Sequence, residues 1–280
     1  MTVELWDLIQ RRAASAHASG AMYRIESEPF LLQDAGVDFV VRVATDYAAQ
    51  AARQPKGRTG NPFADPEPEL FVADLSDSHY ALLNKYHVIE SHLLVVTRAY
   101  VDQHVLLDRA DFEALVACFP SEAPAIAFYN GGSGAGASQP HKHLQVVTLP
   151  LAPWADVPMT PLLATDPPRL PFRHAFAPVG MEAHDAARLH DAYRALLLQA
   201  GIEVVPHADG ERQSGSYNLL VAREWMLLVP RSRDAFERAS VNSLAYAGAL
   251  FVREPHQLEA IRKAGPMSVL VEVGFRHDAR

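Results

Sequence analysis

The sequence has one cysteine, Cys118, among its 280 residues. A lone cysteine excludes an internal disulfide and a zinc knuckle built from several cysteines, and it favours a cytoplasmic protein. No apolar run approaches the roughly 18 residues that a membrane span needs, so no membrane protein is expected. The chain starts with MTVELWDLIQRR, which carries acidic side chains where a signal peptide has a basic region.

Basic residues are also scarce. There are 25 Lys and Arg against 33 Asp and Glu, which gives a net charge of -8. Binding to a nucleic-acid backbone needs a broad basic surface, so this composition argues against a nucleic-acid partner. A small polyphosphate can still bind where a local basic cluster opposes the overall field. The apolar fraction of 49% is that of an ordinary globular chain of one large or two ordinary domains.

The hydrophobic pattern predicts an α+β fold. Strands come in hairpin-like pairs with helices between them, which favours a largely antiparallel sheet over repeated βαβ units. Prolines recur so often over residues 149–178 that no regular element is predicted there. Helices are predicted over residues 4–19, 110–118, 183–200 and 241–263, and a final strand over residues 267–275.

The most informative segment is YNGGSGAGASQPHKHLQVVT, residues 129–148. If HKHLQVV is a strand, alternation places His141, His143 and Gln145 on one face. The glycines before this strand let backbone N–H groups approach a phosphate. The segment therefore predicts a polyanion cradle beside a row of potential nucleophiles.

This segment is open to three other interpretations. Gly132, Gly134 and Ala137 have the spacing of a dinucleotide fingerprint, but that motif must open a helix, and here Pro140 and a strand follow. Two histidines at i and i+2 on a strand can both ligate zinc, given a third ligand from elsewhere, so a metal site stays open. An ordinary solvent-facing strand is the third interpretation. The glycine loop and Gln145 argue against it.

Three blocks of the sequence resemble a known family: LLNKYHVIESHLLVVTRAY, GASQPHKHLQ and SYNLLVAREWMLLVPR. Together they resemble the diadenosine tetraphosphate phosphorylases, or ATP adenylyltransferases, of the transferase branch of the histidine triad superfamily. The resemblance runs from about Leu70 to Pro230. It implies a histidine-triad-like α+β fold, with a largely antiparallel sheet flanked by helices. We expect residues 1–180 to form the N-terminal catalytic half with the H-x-H-x-Q strand, and residues 181–280 to complete the same unit.

The resemblance also implies roles for individual residues. His143 is the implied nucleophile, whose neutral Nε2 attacks an α-phosphorus while a backbone carbonyl holds Nδ1–H. His141 is implied to support the site, and Gln145 to hydrogen-bond phosphate oxygens. Substrate-binding roles are implied for Lys56, Asn84, Lys85, Asn130, Gly136, Ala137, Ser138, Gln139, Ser216, Asn218 and Arg223.

The implied activity is phosphorolysis of diadenosine tetraphosphate to ATP and ADP through a covalent AMP-histidine intermediate. The expected partners are these nucleotides and phosphate, with no tightly bound cofactor or metal and Mg²⁺ only as a companion of the substrate. Nucleotidyl transfer to a sugar phosphate and hydrolysis of dinucleoside polyphosphates are alternatives within the same chemistry. A nucleotide-binding regulator without activity and a zinc hydrolase using His141 and His143 are alternatives of other classes.

Overall fold

The structure is a computed structural model and describes residues 2–45, 47–53, 60–120, 123–180 and 186–277. Seven α-helices lie in these ranges: α1 (Thr2–Ser19), α2 (Tyr47–Arg53), α3 (Arg109–Cys118), α4 (Thr160–Leu163), α5 (Ala186–Ala200), α6 (Pro255–Ala264) and α7 (Pro266–Val273). The strands are β1 (Tyr23–Arg24), β2 (Ser27–Asp34), β3 (Val37–Ala44), β4 (Phe71–Asp74), β5 (His79–Leu83), β6 (Tyr86–His87), β7 (Leu93–Thr97), β8 (Ala125–Gly131), β9 (His143–Thr148), β10 (Ala175–Pro178), β11 (Val204–His207), β12 (Gly210–Gln213), β13 (Tyr217–Val221), β14 (Trp225–Pro230), β15 (Ala235–Phe236), β16 (Ala239–Ser240) and β17 (Ala249–Val252).

An eight-stranded sheet organises the molecule, with the order β10-β14-β13-β8-β9-β7-β5-β4. Every neighbouring pair in it is antiparallel. A second sheet has the order β17-β3-β2 and includes one parallel pair, β17 with β3. The predicted α+β class with a largely antiparallel sheet is confirmed.

The two faces of the large sheet are covered differently. Helices α1, α3 and α5 pack on one face, where they bury Trp6, Phe112 and Tyr193. On the other face, Phe128 of β8 and Leu220 of β13 belong to the core that contains the second sheet and α7. That cover leaves a cavity over β5, β7 and β9. The second layer of the fold thus leaves part of one sheet face accessible.

Most of the predicted elements are present, but the final strand is wrong. Residues 266–273 form helix α7, whose buried side chains include Val269, Leu270 and Val273 at helical spacing. Pro266 stands in its first turn, where its missing N–H costs nothing. The Asp34 carboxylate accepts a hydrogen bond from the Met267 N–H at 2.9 Å. The apolar run is therefore a capped, buried helix.

The helix predicted over residues 241–263 is also wrong. Asn242 caps a short 3-10 helix, Ser243–Ala247, and Gly248 ends it at φ 94°, a left-handed conformation that stops helix propagation. Strand β17 follows and pairs with β3 before α6 begins at Pro255.

The proline-rich stretch 149–178, where no element was predicted, contains the short helix α4 and strand β10.

Both halves of the chain contribute to the large sheet. Strands β13 and β14, which follow residue 181, lie between β10 and β8. The division at residue 180 stays a prediction. Across the described ranges, no helix combines the length and apolarity needed to cross a membrane.

Candidate active site

A cavity of about 380 Å³ lies over strands β5, β7 and β9. Its polar lining includes Asn84, Lys85, Ser138, Gln139, His143 and Gln145. Its apolar lining includes Phe63, Leu70, Leu82 and Leu94. All six of these polar residues were predicted as site residues, and they come from two separate segments of the sequence. Lys56, which was also predicted, lies outside the described residues. The cavity has a polar and an apolar part, as a nucleotide requires.

The imidazole of His143 is held in one tautomer. Its Nδ1 lies 2.9 Å from the backbone oxygen of His141. Because a carbonyl oxygen can only accept, Nδ1 carries the proton and Nε2 carries the lone pair. Burial lowers the pKa of His143 to about 4, so the ring is neutral at pH 7. Nε2 has no protein partner within the described part of the chain, and the ring lines the cavity.

The backbone of His143 is held by a side chain. Gln103 Oε1 accepts from the His143 N–H at 2.9 Å, and Gln103 Nε2 donates to the His143 carbonyl at 3.3 Å. The same Nε2 donates to the Asn130 carbonyl at 2.9 Å. Gln103 thus bridges the ends of β8 and β9 beside the candidate nucleophile.

His141 is directed to a neighbouring loop and not to the cavity. Asn61 Oδ1 accepts from the Phe63 N–H at 3.0 Å, so the Asn61 Nδ2 donates to His141 Nδ1 at 2.9 Å. His141 Nε2–H then donates to the Thr97 carbonyl at 2.8 Å. Both ring nitrogens are occupied, and burial lowers the pKa of His141. This ring supports the loop that packs Phe63 against His143, with 5.1 Å between ring centroids.

The zinc-hydrolase alternative gains no support from this geometry. His141 has no free ring nitrogen for a metal ion. In the ranges that the structure describes, no three His, Cys, Asp or Glu side chains form a group that could hold one.

Gln145 takes part in a hydrogen-bond network that the sequence did not predict. Its Oε1 lies 2.8 Å from His92 Nε2, and His92 Nδ1 lies 3.1 Å from Asn84 Nδ2. Asn84 and Gln145 both line the cavity, so His92 connects two of its polar residues.

The glycine loop after β8 leads into two residues that line the cavity, Ser138 and Gln139. Gly132 and Gly136 both have φ near 87°, which non-glycine residues rarely adopt. The Gly136 N–H bonds to the Ser133 carbonyl at 2.9 Å and closes a short 3-10 turn. Ser138 and Gln139 follow, and their amides find no acceptor among the described residues. These two N–H groups are available to an anionic oxygen.

Comparison with known proteins agrees with this geometry. Residues 1–165, more than half of the chain, match the family model of the Ap4A phosphorylase N-terminal domain. The chain belongs to the Ap4A phosphorylase family. Residues 168–276 match the ATP adenylyltransferase C-terminal domain. The family resemblance of the three sequence blocks is thus confirmed over nearly the whole chain.

Two relatives of this Ap4A phosphorylase family member come from Saccharomyces cerevisiae. Diadenosine 5',5'''-P1,P4-tetraphosphate phosphorylase 2 is 28% identical over 264 residues, which cover 82% of this chain and 80% of the relative. Protein APA1 is 26% identical over 304 residues, which cover 97% and 94%. The solved structure of yeast Ap4A phosphorylase Apa2 matches with a TM-score of 0.79 and 25% identity, covering 98% of this chain and 95% of that one.

Lys85 lies at the cavity of this Ap4A phosphorylase family member, but it is already paired. Its Nζ is 2.5 Å from Glu67 Oε1, and it lies about 6 Å from the rings of Tyr23 and Tyr86. Glu67 also lines the cavity. A phosphate that binds Lys85 must therefore compete with this carboxylate.

Asn130 and Asn218 lie behind the glycine loop, in a buried network. Asn218 Nδ2 donates to Asn130 Oδ1 and to the Ala135 carbonyl, each at 2.9 Å. Ser243 donates its N–H to the same Asn130 oxygen at 3.0 Å. Asn218 has no exposed surface, so this structure gives it no direct substrate contact. The geometry gives the pair the role of holding the loop.

Ser216 and Arg223 are placed away from the cavity. Ser216 Oγ lies beside Gly134, where an added Cβ would approach it to 2.8 Å. Strand β13 starts opposite Gly131 and runs away from the glycine loop, and Arg223 follows its far end and donates to the Pro120 carbonyl. The structure does not bring Arg223 to the cavity, and the substrate contact implied for it stays a prediction.

Sequence reasoning missed Asn61, His92 and Gln103. For His92 a signal existed, because it directly precedes β7 and alternation places it on the same face as Leu94 and Val96. That face meets the face of His143 and Gln145, but only the strand register reveals it. For Asn61 and Gln103 the sequence carries no signal, since their partners lie 80 and 40 positions away.

Proposed function

We propose that the protein phosphorolyses diadenosine tetraphosphate to ATP and ADP, with AMP carried on His143. The observation that supports this most is the fixed tautomer of His143, whose Nδ1–H is held by the His141 carbonyl while the ring lines the cavity. Family membership adds to it, as does the phosphorylase activity in the name of the yeast relative. A structure of yeast Apa2 in complex with Ap4A, 23% identical to this chain, shares its fold with a TM-score of 0.78.

In the first step, the lone pair of His143 Nε2 attacks one α-phosphorus of the substrate. The new bond is N–P, the bond that breaks joins that phosphorus to the bridging oxygen, and ATP leaves with the electron pair. The imidazole gains positive charge, and the His141 carbonyl at Nδ1 stabilises it. No proton needs to leave the ring, because Nδ1–H is retained.

In the second step, an oxygen of inorganic phosphate attacks the same phosphorus. The P–N bond breaks, its electron pair returns to Nε2, and the product is ADP. The proton of the phosphate is released to solvent. Two displacements at one phosphorus retain its configuration.

The cavity lining fits this reaction. The amides of Ser138 and Gln139 and the cation of Lys85 are donors for the phosphoryl oxygens, whose charge grows in each transition state. Leu70, Leu82 and Leu94 provide apolar surface for a base.

The acceptor is tested by varying phosphate. We expect ATP and ADP in equal amounts, and only when phosphate is present. Water competes at roughly 55 M, so a positioned phosphate must have a large effective concentration to exclude it. Accumulation of AMP and ATP at the same rate without phosphate would instead make the protein a hydrolase. Faster transfer to galactose 1-phosphate than to phosphate would support the sugar-phosphate alternative.

The nucleophile is tested by His143→Ala, with His174→Ala as the matched control. His174 is a partly buried histidine whose Nδ1 donates to the Phe172 carbonyl and which does not line this cavity. We expect His143→Ala to lose turnover and covalent labelling by a radiolabelled adenylyl donor, while His174→Ala keeps both. Labelled AMP on His143→Ala would remove the proposed nucleophile, and absent labelling of the wild type would favour the inactive regulator.

We also propose that no metal is bound tightly and that Mg²⁺ enters only with the polyphosphate, because magnesium pairs readily with substrate phosphates. Elemental analysis of the purified protein and an activity titration with a chelator test this. Cytoplasmic residence, which rests on the single cysteine, is proposed in the same way and is tested by imaging a tagged chain.

A further inference from the structure

A directed chain of hydrogen bonds leads from the backbone of Tyr86 to Gln145. The Tyr86 N–H can only donate, and it lies 3.2 Å from Asn84 Oδ1. This contact fixes the orientation of the Asn84 amide, so Asn84 Nδ2 faces the other way. It lies 3.1 Å from His92 Nδ1 and donates to it.

The same donor-to-acceptor direction continues through the His92 ring. Burial lowers the pKa of His92 to about 4, so the imidazole is neutral at pH 7 and has one N–H and one lone pair. Since Nδ1 accepts from Asn84, the proton is on Nε2. His92 Nε2–H therefore donates to Gln145 Oε1 at 2.8 Å.

The last link determines what Gln145 presents to the cavity. Its carbonyl oxygen is occupied by His92, and its amide nitrogen has no protein acceptor in the described ranges. The two free N–H groups suit the anionic oxygens of a phosphoryl group. A reversed amide would place its oxygen against those oxygens and leave His92 Nε2–H unsatisfied.

We propose that His92 is a positioning residue that holds the Gln145 amide with its NH₂ group toward the phosphoryl group being transferred. The substrate in this statement rests on the proposed function. The orientation of the amide rests on the hydrogen bonds alone. His92 itself touches no reacting atom in this scheme.

Three substitutions separate donation from packing, since the His92 ring also lies 5.8 Å from the ring of Phe128. His92→Gln keeps an N–H near the Nε2 position, His92→Glu offers only acceptors, and His92→Leu offers neither. A hydrogen bond to a charged group contributes enough that kcat should fall about 10- to 100-fold in the Glu and Leu variants. KM should change by less than about 3-fold, and His92→Gln should recover most of kcat.

A double-mutant cycle with Gln145→Ala tests whether His92 acts through Gln145. In that background, His92→Leu should cost no more than about 2-fold, because its target is gone. The control is His174→Gln, which should leave turnover unchanged. An equal loss from His92→Leu in both backgrounds would overturn the proposal, and so would a His92→Gln variant as impaired as His92→Glu.

Nitrogen NMR of isotope-labelled histidines gives a readout that needs neither substrate nor turnover. The wild-type protein at pH 7 should show His92 as the neutral Nε2–H tautomer. An Nδ1–H tautomer or an imidazolium would overturn the orientation, whatever the activity. Should the wild type fail to phosphorolyse diadenosine tetraphosphate while His92 shows the Nε2–H tautomer, the proposed function fails and the orientation of Gln145 stands.

Discussion

The Gln103 side chain makes the hydrogen bonds to the His143 backbone that strand β8 would otherwise make. Strands β8 and β9 pair as far as Phe128 with Gln145; continued, this register would place Tyr129 opposite Leu144 and Asn130 opposite His143. The Gln103 side-chain amide lies between Asn130 and His143 instead. It accepts from the His143 N–H and donates to the carbonyls of Asn130 and His143. The two strands thus separate at the candidate nucleophile without leaving its backbone unsatisfied.

We therefore expect Gln103→Leu to harm both stability and turnover. It leaves the His143 N–H and the Asn130 carbonyl buried without partners, at a cost of about 1–3 kcal/mol each in the free energy of unfolding. Because the backbone of His143 is then free to shift, kcat should fall at least about 10-fold, as misplacement of a reacting group does. Urea denaturation and steady-state kinetics measure the two effects.

Gln33→Leu is the control for this substitution. Gln33 is an exposed glutamine on β2 that donates to Asp38 at 2.9 Å. Its loss should change the free energy of unfolding by less than about 0.5 kcal/mol. If Gln103→Leu behaved like Gln33→Leu, the bridge between β8 and β9 would have no energetic role.

Local patterns in the sequence predicted much of this fold. The predictions that failed concern segments whose structure depends on residues far away in the sequence. The alternation in β3 and in the β13–β14 hairpin is contained in each segment. Helix α7 is different, because the Asp34 carboxylate that caps it lies 233 positions from Met267. An apolar run rich in valine favours a strand when such a partner is unknown.

The candidate site likewise combines features that local patterns predict with contacts that they do not. The shared face of His143 and Gln145 follows from alternation within one strand, and the glycine loop precedes it directly. The partners of these residues, Gln103 and His92, come from other segments, and only strand register and loop path bring them in. The sequence also does not reveal that Lys142, on the opposite face of the strand, is buried in an ion pair with Asp111.

Acid should destabilise the protein through His143. Its pKa is about 4 when folded and 6.5 in the ordinary state, so above pH 6.5 both folded and unfolded chains leave it neutral. Between pH 6.5 and 4 the unfolded chain binds a proton that the folded chain does not, and stability falls as pH falls. The full difference between the two pKa values corresponds to about 3 kcal/mol in the free energy of unfolding. His87, buried with a pKa of about 4, adds a similar loss.

The comparison of wild type with His143→Ala isolates this effect. Urea denaturation at several pH values should show a shallower loss of stability below pH 6.5 in the variant. The slopes of unfolding free energy against pH should differ by the binding of up to about one proton. Equal slopes would mean that His143 is protonated alike in both states. Activity of the wild type should also persist well below pH 6.5, since the nucleophile stays neutral there.

We expect a side chain at Gly136 to shift the glycine loop. Its φ of 87° is strained for alanine, and an added Cβ would lie 3.0 Å from the Val241 carbonyl. Gly36→Ala is the matched control, because Gly36 has φ 78° with nothing within 4 Å of an added Cβ. Both variants should lose about 1–2 kcal/mol from the left-handed backbone. Only Gly136→Ala should also raise KM for diadenosine tetraphosphate, because the shift reaches the amides of Ser138 and Gln139.

On the sheet face opposite the cavity, Asp111 holds two buried partners. Its carboxylate lies 2.9 Å from His79 Nε2 and 3.0 Å from Lys142 Nζ, and all three side chains are at most 3% exposed. Burial alone would raise the pKa of Asp111, but the His79 hydrogen bond and the Lys142 charge outweigh it and lower that pKa. The carboxylate is therefore the charge that the buried ammonium group requires.

Asp111→Asn should accordingly be among the most destabilising polar substitutions in the chain. It leaves the Lys142 ammonium buried without a counter-charge, and removing one partner of a buried ion pair costs about 3–5 kcal/mol in the free energy of unfolding. The control is Glu113→Gln on the same helix, which breaks an exposed pair with Arg109 and should cost less than about 0.5 kcal/mol. Urea denaturation at pH 7 measures both. Similar losses in the two variants would mean that water reaches Lys142 in solution and screens it, and the burial of this ion pair would then be wrong.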